Sequence, residues 1–301
     1  MTSQGVGVAA FLEVVETGPL CLVQDGGRPG LSSLGVSPSG AADGRAFELG
    51  ARLLGQSPAQ AALECLLGGV ALRAHGSVTV VVTGASCRVQ VDDRAVGYAA
   101  PFLLRDGQVL RMSRPDAGLR SYLAVRGGLL VPPVLGSRSH DTLSGLGPPP
   151  VRSGDRLPVG LSQGDDFTDL LVDVAPVAPP GGGLVVLDTR PGPRWDWLAD
   201  PAQLAETEWL VSATSDRVGV RLDGPRLLRD DGRRTAEVPS EGLVRGAVQL
   251  PPDGRPVVFL ADHPVTGGYP VVAVLTGPTA DAAAQVVPGQ PVRLRPATSL
   301  G

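Results

Sequence analysis

The residues best suited to chemistry lie in the stretch ADHPVTGGYP, residues 261–270. It combines an acid, an imidazole, a hydroxyl, a glycine pair and a phenol between two β-rich runs, VVFL and VVAVL. These residues are Asp262, His263, Thr266, Gly267, Gly268 and Tyr269. Loops held by rigid strands often carry reactive groups, and paired glycines let backbone amides approach a ligand oxyanion closely. A simple turn also favours Gly, Pro and Asp, so both interpretations stay open.

Other polar clusters could contribute to a site. Ser240, Glu241 and Gln249 precede the same stretch on short strands and glycine-rich loops. In SDRVGVRLDG, Asp216 and Arg217 could belong to a charged network or to an anion site.

The N-terminal half contains two more candidates. Gln24, Asp25 and Arg28 crowd a glycine-rich turn, where an Asp–Arg pair could equally brace the turn. Glu64 interrupts an apolar run, so its carboxylate lies either on the solvent-exposed face of a strand or inside a site.

Composition excludes several classes of function. The net charge of −4 and pI near 5.4 give no electrostatic footprint for nucleic acid or an anionic membrane. No apolar run approaches the roughly 18 residues of a membrane span, and the start of the chain lacks a signal-peptide pattern. We therefore expect a cytoplasmic protein whose partners are proteins or small molecules. All 26 basic residues are arginine, since the chain has no lysine. It can therefore supply no Schiff-base lysine, P-loop lysine or biotinylated lysine.

Two familiar site patterns receive little support. The sequence GLSQG at 160–164 matches the nucleophile elbow G-x-S-x-G, but that motif needs the strand-to-helix turn of an α/β sheet, and the surrounding chain is β-rich. Three isolated histidines, His75, His140 and His263, make no persuasive metal site. We expect no metal in this chain.

The elements that must position these residues are mostly strands. Short β-rich runs alternate with Gly, Pro or Asp turns throughout the chain, which is typical of barrels or sandwiches. Helical spacing favours a helix over 41–54 with Ser39 as its cap, and one or two short helices over 195–210 beginning at Asp200 and Pro201. The segment APVAPPGGG suggests a linker, which predicts two domains, 1–180 and 181–301. The three cysteines form no CxxC and are predicted to be buried thiols.

Taken together, the motifs resemble one family. They are VQDGGRPG, GASCRVQVDDRAV, SYLAVRGGLLVPPVLGSRSHD, GDRLPVG, SDRVGVRLDGP, PSEGLVRGAVQLPPDGRPVVFLADHPVTGGYP and AQVVPGQPVRL. In this order, over nearly the whole chain, they resemble the KipA-like family. Its members are also described as the C subunit of 5-oxoprolinase, as biotin-dependent carboxyltransferase-like, and as the allophanate-hydrolase subunit 2 module of urea amidolyases. The chain departs from the family pattern after SRSHD and at Val265, where the family has threonine.

The resemblance implies a mainly β fold of two cyclophilin-like β-barrel domains with a few short helices. It implies ATP-dependent opening of 5-oxo-L-proline to L-glutamate. The reaction would take place in a complex with two partners, a KipI-like B subunit and the 5-oxoprolinase A subunit. The chain alone is expected to be inactive, and ATP would act through the complex. One alternative is a biotin-dependent carboxyltransferase module acting on a urea-like or amide substrate. Another is a non-catalytic regulator paired with a KipI-like protein.

The resemblance also unites the polar clusters into one expected active surface. Asp262, Glu64 and His263 are the expected catalytic residues, and Asp262 or Glu64 would transfer protons if burial raised its pKa. Arg28 and Arg217 would hold an anionic group in bidentate fashion. The expected substrate-binding residues are Gln24, Asp25, Arg28, Asp216, Arg217, Ser240, Glu241, Gln249, Thr266, Gly267, Gly268 and Tyr269.

Overall fold

The computed structural model describes residues 10–161, 174–233, 236 and 238–297, and it divides the chain into two compact units. Unit 1 comprises Met1–Arg28, Gly44–His140 and Gly145–Pro180. Unit 2 comprises Pro29–Asp43, Asp141–Ser144 and Gly181–Gly301. Two short segments from the N-terminal half therefore belong to the C-terminal unit. The division into independent domains at residue 180 stays a prediction.

Unit 1 is built from two antiparallel sheets. Its strands are β1 (Ala10–Thr17), β2 (Leu20–Gln24), β3 (Ala62–Leu66), β4 (Val70–His75), β5 (Val78–Gly84), β6 (Val89–Val91), β7 (Arg94–Val96), β8 (Phe102–Leu104), β9 (Val109–Met112), β10 (Arg120–Val125) and β11 (Arg156–Val159). One sheet has the order β11-β1-β4-β9-β6-β7, and the other has the order β2-β3-β10-β5-β8.

The core of unit 1 receives side chains from both sheets. Strand β1 alternates buried and partly buried residues over most of its length, so Leu12 and Val14 point into the core. Strand β5 is buried at every position and adds Val80 and Val82 to the same core. The predicted buried thiols are confirmed, since all three cysteines are free and buried.

Unit 2 contains a closed seven-stranded barrel and a small two-stranded sheet. Its strands are β12 (Val185–Pro191), β13 (Glu208–Val211), β14 (Gly219–Asp223), β15 (Glu241–Gly242), β16 (Ala247–Gln249), β17 (Val257–Phe259), β18 (Thr266–Gly267), β19 (Val271–Leu275) and β20 (Pro291–Pro296). The barrel order is β12-β19-β16-β17-β14-β13-β20, and parallel pairing of β20 with β12 closes it. Strands β15 and β18 form the small sheet.

Helices are few and short within the described ranges. They are α1 (Gly44–Leu53), α2 (Pro201–Glu206) and α3 (Gly277–Ala283), with 3-10 turns at Ser32–Leu34, Trp195–Trp197 and Asp231–Arg233. The mainly β prediction is confirmed. Asp200 caps α2 as expected, with its carboxylate accepting from the backbone N–H of Ala202 at 3.0 Å.

One predicted helix cap is wrong, and one helix was not predicted. Helix α1 begins at Gly44, and Ser39 does not cap it; Ser39 has a left-handed φ of 51°, and its hydroxyl donates to Asp262 instead. Helix α3 was not predicted, although Pro278 occupies its first turn, a position that proline favours.

Candidate functional site

Asp262 lies in the turn after β17 and is completely buried. Its Oδ1 accepts hydrogen bonds from Ser39 Oγ at 2.6 Å and Arg217 Nη2 at 3.1 Å. Its Oδ2 accepts from Arg217 Nε at 2.8 Å and from the backbone N–H and the hydroxyl of Thr142 at 2.9 and 2.7 Å. A carboxylate offers about four lone-pair positions. These donors therefore saturate Asp262 and leave no lone pair for a substrate.

The pKa of Asp262 is set by opposing effects. Burial by itself raises the pKa, but the charge of Arg217 and the hydrogen bonds from Arg217, Ser39 and Thr142 outweigh burial and lower the pKa below its ordinary value. The proton-transfer role was expected on condition that burial raised this pKa. That condition is not met for Asp262, which instead fixes Pro29–Asp43 and Asp141–Ser144 within unit 2.

In the SDR motif before β14, the neighbouring residues Asp216 and Arg217 have different contacts. The Nε and Nη2 atoms of Arg217 face Asp262, and Nη2 also donates to the carbonyl of Gly40 at 2.7 Å. That bidentate edge is therefore not open to a substrate. Asp216 is exposed and accepts from the backbone N–H groups of Val218 and Gly219 at 2.8 and 3.0 Å, so it braces the turn.

His263 presents a defined orientation of its imidazole ring. The side chain is 3% exposed, and Nδ1 lies 2.8 Å from the carbonyl oxygen of Pro264, so Nδ1 carries the proton and donates it. In the neutral ring, Nε2 is then the acceptor nitrogen. His263 can accept a proton through Nε2 without losing the bond that holds the ring.

Gln249 holds the glycine loop, residues 266–269, in place. This residue is 4% exposed, and its Nε2 donates to the carbonyl of Tyr269 at 3.1 Å. A Cβ on Gly267 would stand only 2.5 Å from Gln249 Nε2 and 2.8 Å from Leu243 Cδ1, so a larger residue there must displace these buried side chains. Thr266, Gly268 and Tyr269 are exposed above this support. The loop therefore presents a hydroxyl and a phenol to solvent, and Gln249 fixes its backbone.

Two more predicted residues lie beside this loop. Glu241 in β15 pairs with Gly267 in β18, and its carboxylate forms an ion pair with Arg194. Arg194 also lies over the ring of Trp197, 5.8 Å from the ring centroid. Ser240 is exposed immediately before β15. Glu241 thus stabilises the small sheet that carries Thr266 and Gly267.

In unit 1, Glu64 is buried in β3, and the interpretation that placed it on a solvent-exposed face is wrong. The side chain is 3% exposed and accepts from Tyr122 Oη at 2.8 Å. Arg120 Nε lies 3.4 Å from the other carboxylate oxygen. Because β10 pairs with β3, it brings Tyr122 opposite Glu64. The three side chains form a buried, charge-balanced cluster.

The turn after β2 is also highly ordered. Asp25 accepts from the hydroxyls of Ser137 and Ser139, both at 2.6 Å, from the backbone N–H of Arg138 at 2.6 Å, and from that of Gly27 at 2.8 Å. Asp25 thereby ties the DGGR turn to the SRS segment. The arrangement of Asp25 is therefore neither a simple Asp–Arg pair that braces the turn nor a freely accessible carboxylate.

Gln24 and Arg28 are buried on either side of Asp25. Gln24 Nε2 donates to the carbonyl of His140 at 2.8 Å, while Arg28 Nη2 and Nε donate to the carbonyls of Ser139 and Val134. Within the described part of the chain, Gln24 Oε1 and Arg28 Nη1 have no hydrogen-bond partner. The Nε–Nη2 edge of Arg28 is already used, so the expected bidentate anion contact is unavailable there.

Both units thus contain buried polar clusters. In unit 2, Asp262 joins Arg217 directly, and Gln249 supports the loop from Gly267 to Tyr269. In unit 1, Glu64 belongs to one cluster and Asp25 to another. Sequence reasoning missed the partners that hold these acids: Ser39, Thr142, Ser137, Ser139, Tyr122 and Arg120. Of these, only Tyr122, Ser137 and Ser139 stood in a recognised motif, SYLAVRGGLLVPPVLGSRSHD.

The sequence matches the family model described as "Carboxyltransferase domain, subdomain A and B" over residues 34–296. The chain belongs to this carboxyltransferase family. Among curated relatives, the C subunit of the 5-oxoprolinase of Escherichia coli K12 is 36% identical over 287 residues, covering 94% of this chain and 90% of the relative. The corresponding C subunit from Haemophilus influenzae is 30% identical with the same coverage.

Two solved structures have the same fold as this chain. A crystal structure of TTHA0988 has a TM-score of 0.84 and 31% identity, covering 96% of this chain and 56% of that one. The Kluyveromyces lactis urea carboxylase has a TM-score of 0.85 and 27% identity, covering 98% of this chain and 28% of that one. This chain therefore spans little more than half of the first structure and about a quarter of the second.

Membrane-spanning helices and metal-binding clusters are both absent from the described residues. Among these residues, no helix is long and apolar enough to cross a membrane. In the same ranges, no group of three or more His, Cys, Asp or Glu residues is placed to hold a metal ion. The serine of GLSQG and the two residues after it lie outside the described residues.

Proposed function

We propose that this carboxyltransferase-family chain is the C subunit of a 5-oxoprolinase, which opens 5-oxo-L-proline to L-glutamate with ATP. The observation that carries the proposal is the 36% identity to the C subunit of a 5-oxoprolinase over 94% of this chain and 90% of the relative. A match over nearly the full length of both chains favours the same role in the same kind of complex. The proposal includes the KipI-like B subunit, the A subunit of 5-oxoprolinase, and a cytoplasmic location.

The chemistry suits the exposed loop of unit 2. Hydrolytic opening of a lactam adds water to the amide carbon, which places negative charge on the carbonyl oxygen. The C–N bond then breaks, the ring nitrogen takes a proton, and the carbonyl carbon becomes a carboxylate. Backbone N–H groups stabilise such an oxyanion best when they are fixed in advance. Gln249 holds this loop through the Tyr269 carbonyl, and the backbone N–H groups of Gly268 and Tyr269 are the oxyanion donors that we propose.

His263 is the proton-transfer residue that we propose in place of Asp262. Its Nδ1–H is committed to the Pro264 carbonyl, which leaves Nε2 to accept a proton. Asp262 is saturated by donors and has a lowered pKa, so it positions the neighbouring turn. ATP, when bound by the complex, would supply the free energy that lactam opening requires.

The primary test measures ATP-dependent release of glutamate from 5-oxoproline by this chain with the A and B subunits. Omitting each of the three chains in turn shows which ones are required. The proposal expects turnover by the full set and none when this chain is missing or alone. Equal turnover without this chain, or no turnover by an assembled complex, would refute it.

A second test isolates the role of His263. In the complex, His263→Gln keeps a polar side chain of similar length but cannot act as a base. We expect kcat to fall by about 10²–10⁴-fold, with KM and complex formation little changed. The matched control is Asp216→Asn, which keeps an exposed turn acceptor and should retain wild-type kcat. Wild-type kcat in His263→Gln would remove this residue from proton transfer.

A carboxyltransferase module is the second candidate, favoured by the urea carboxylase fold match and by urea amidolyases such as that of Saccharomyces cerevisiae, 27% identical over 304 residues. The chain has no lysine, so carboxybiotin would have to come from a separate carrier. The test incubates the chain with a carboxybiotin-loaded carrier protein and urea. Urea-dependent loss of the carboxyl group from the carrier would support this candidate, and its absence would exclude it for urea.

A further inference from the structure

A cavity of about 750 Å³ opens in unit 2 beside the glycine loop. Ligand pockets typically measure about 300–1,000 Å³, so this one can hold a molecule much larger than 5-oxoproline. The loop contributes Gly268 and Tyr269 to one side. Residues of the β14–β15 and β16–β17 connections form the rest of the lining.

Two arginines give the cavity its charge. Arg226 and Arg229 both line it. Arg226 Nη2 donates to the carbonyl of Pro252 at 3.0 Å, and the two terminal nitrogens of Arg229 donate to the carbonyls of Ala236 and Leu250, both at 3.3 Å. Within the described residues, neither guanidinium forms an ion pair with a carboxylate. Carbonyl contacts orient both groups and leave further N–H donors available.

The remaining wall offers flat and apolar surfaces. Leu228 is 54% exposed and Tyr269 is 45% exposed. Pro251 and Pro252 add two rigid rings to the lining. Flat aromatic and proline faces of this kind suit a planar ligand.

We propose that this cavity binds an organic anion with a flat ring system, of the size of a mononucleotide, and that Arg226 and Arg229 hold its anionic group. The flat part lies against Tyr269, Leu228 and the proline pair. This inference goes beyond the proposed function, because it concerns binding by this chain in the absence of turnover.

The test uses isothermal titration calorimetry on the full chain at low salt, with ADP as the probe. We expect saturable binding at one site. Pyrophosphate and adenosine should each bind at least about tenfold more weakly than ADP, since each lacks one of the two recognised parts. Loss of a charge-assisted hydrogen bond should weaken ADP binding at least about tenfold in Arg226→Gln.

A second variant and a control make the result independent of folding. Leu228→Glu places a negative charge in the cavity from an exposed position, so it should also weaken ADP binding without changing Tm. Arg255→Gln is the matched control, because Arg255 is an exposed arginine of the same unit, paired with Asp223 and absent from the cavity lining; it should bind ADP within about twofold of wild type. Failure of ADP to bind at millimolar concentration would overturn the proposal. Wild-type affinity in both cavity variants, or adenosine binding as tightly as ADP, would also overturn it.

Discussion

Replacing Asp262 with asparagine removes the charge that compensates Arg217. Arg217 is 4% exposed, so the substitution leaves a buried guanidinium without its carboxylate. The new NH₂ group must also face one of the donor sets that now meet Oδ1 and Oδ2. Breaking a buried ion pair from one side costs about 3–5 kcal/mol. At about 2–4 °C per kcal/mol for a unit of this size, we expect Asp262→Asn to lower Tm by about 6–20 °C.

Urea titration and calorimetry of the isolated chain measure this effect without any activity assay. The matched control is Asp216→Asn, whose exposed carboxylate accepts only from backbone N–H groups. Its amide oxygen can keep those bonds, so the free energy of unfolding should change by no more than about 0.5 kcal/mol. A Tm for Asp262→Asn within the range of this control would refute the structural role of the ion pair.

The pH dependence gives an independent check with a defined sign. The pKa of Asp262 is lower in the folded chain than in the unfolded chain. The carboxylate therefore stabilises the fold fully above the ordinary aspartate pKa of about 3.9, and this stabilisation is lost as the pH falls through the folded-state pKa. The difference between wild type and Asp262→Asn should be largest near neutral pH and shrink below about pH 4. A difference that grows on acidification would contradict the assignment.

Three further predictions concern packing and burial. Gly267→Ala should lower the free energy of unfolding by about 1–3 kcal/mol, because its Cβ would stand 2.5 Å from Gln249. In the control Gly268→Ala the nearest neighbouring atom is 3.8 Å from the new Cβ, so urea unfolding should be close to that of wild type. Tyr122→Phe removes a donor from the buried carboxylate of β3 and should cost about 1.5–3 kcal/mol. Tyr98→Phe removes a hydrogen bond to the neutral backbone carbonyl of Gly84 and should cost about 0.5–1.5 kcal/mol, so equal losses would count against the charged cluster. The three buried thiols should react with a thiol reagent only after denaturation, and rapid labelling of the native chain would contradict their burial.

Local sequence predicted those elements whose stability is itself local. Asp200 and Pro201 signal the start of α2 because a cap and a first-turn proline act within one turn of the chain. Short runs of β-branched residues between turn residues predicted the strands of both units, as in β5 and β19. Helix α3 was missed because glycine and proline at its start resemble a loop as readily as a first turn.

The candidate site was only partly predictable. Residue type and clustering identified Asp262, Arg217 and the glycine loop as polar centres, but they could not tell a saturated carboxylate from an available one. The hydrogen bond from Ser39 to Asp262 spans 223 positions, and the bond from Thr142 spans 120. No local pattern encodes such pairs, since they depend on where the barrel places each segment.

Composition and the order of the motifs were enough to predict the mainly β fold, the absence of lysine chemistry and the family, because these are properties of the chain before it folds. Tertiary structure was needed to show that Glu64 is buried against Tyr122, that Asp262 is saturated by donors, and that Nδ1 of His263 bonds to the Pro264 carbonyl. The physical reason is that burial and hydrogen-bond partners determine what an ionisable side chain can do. Both are set by contacts between residues far apart in the sequence.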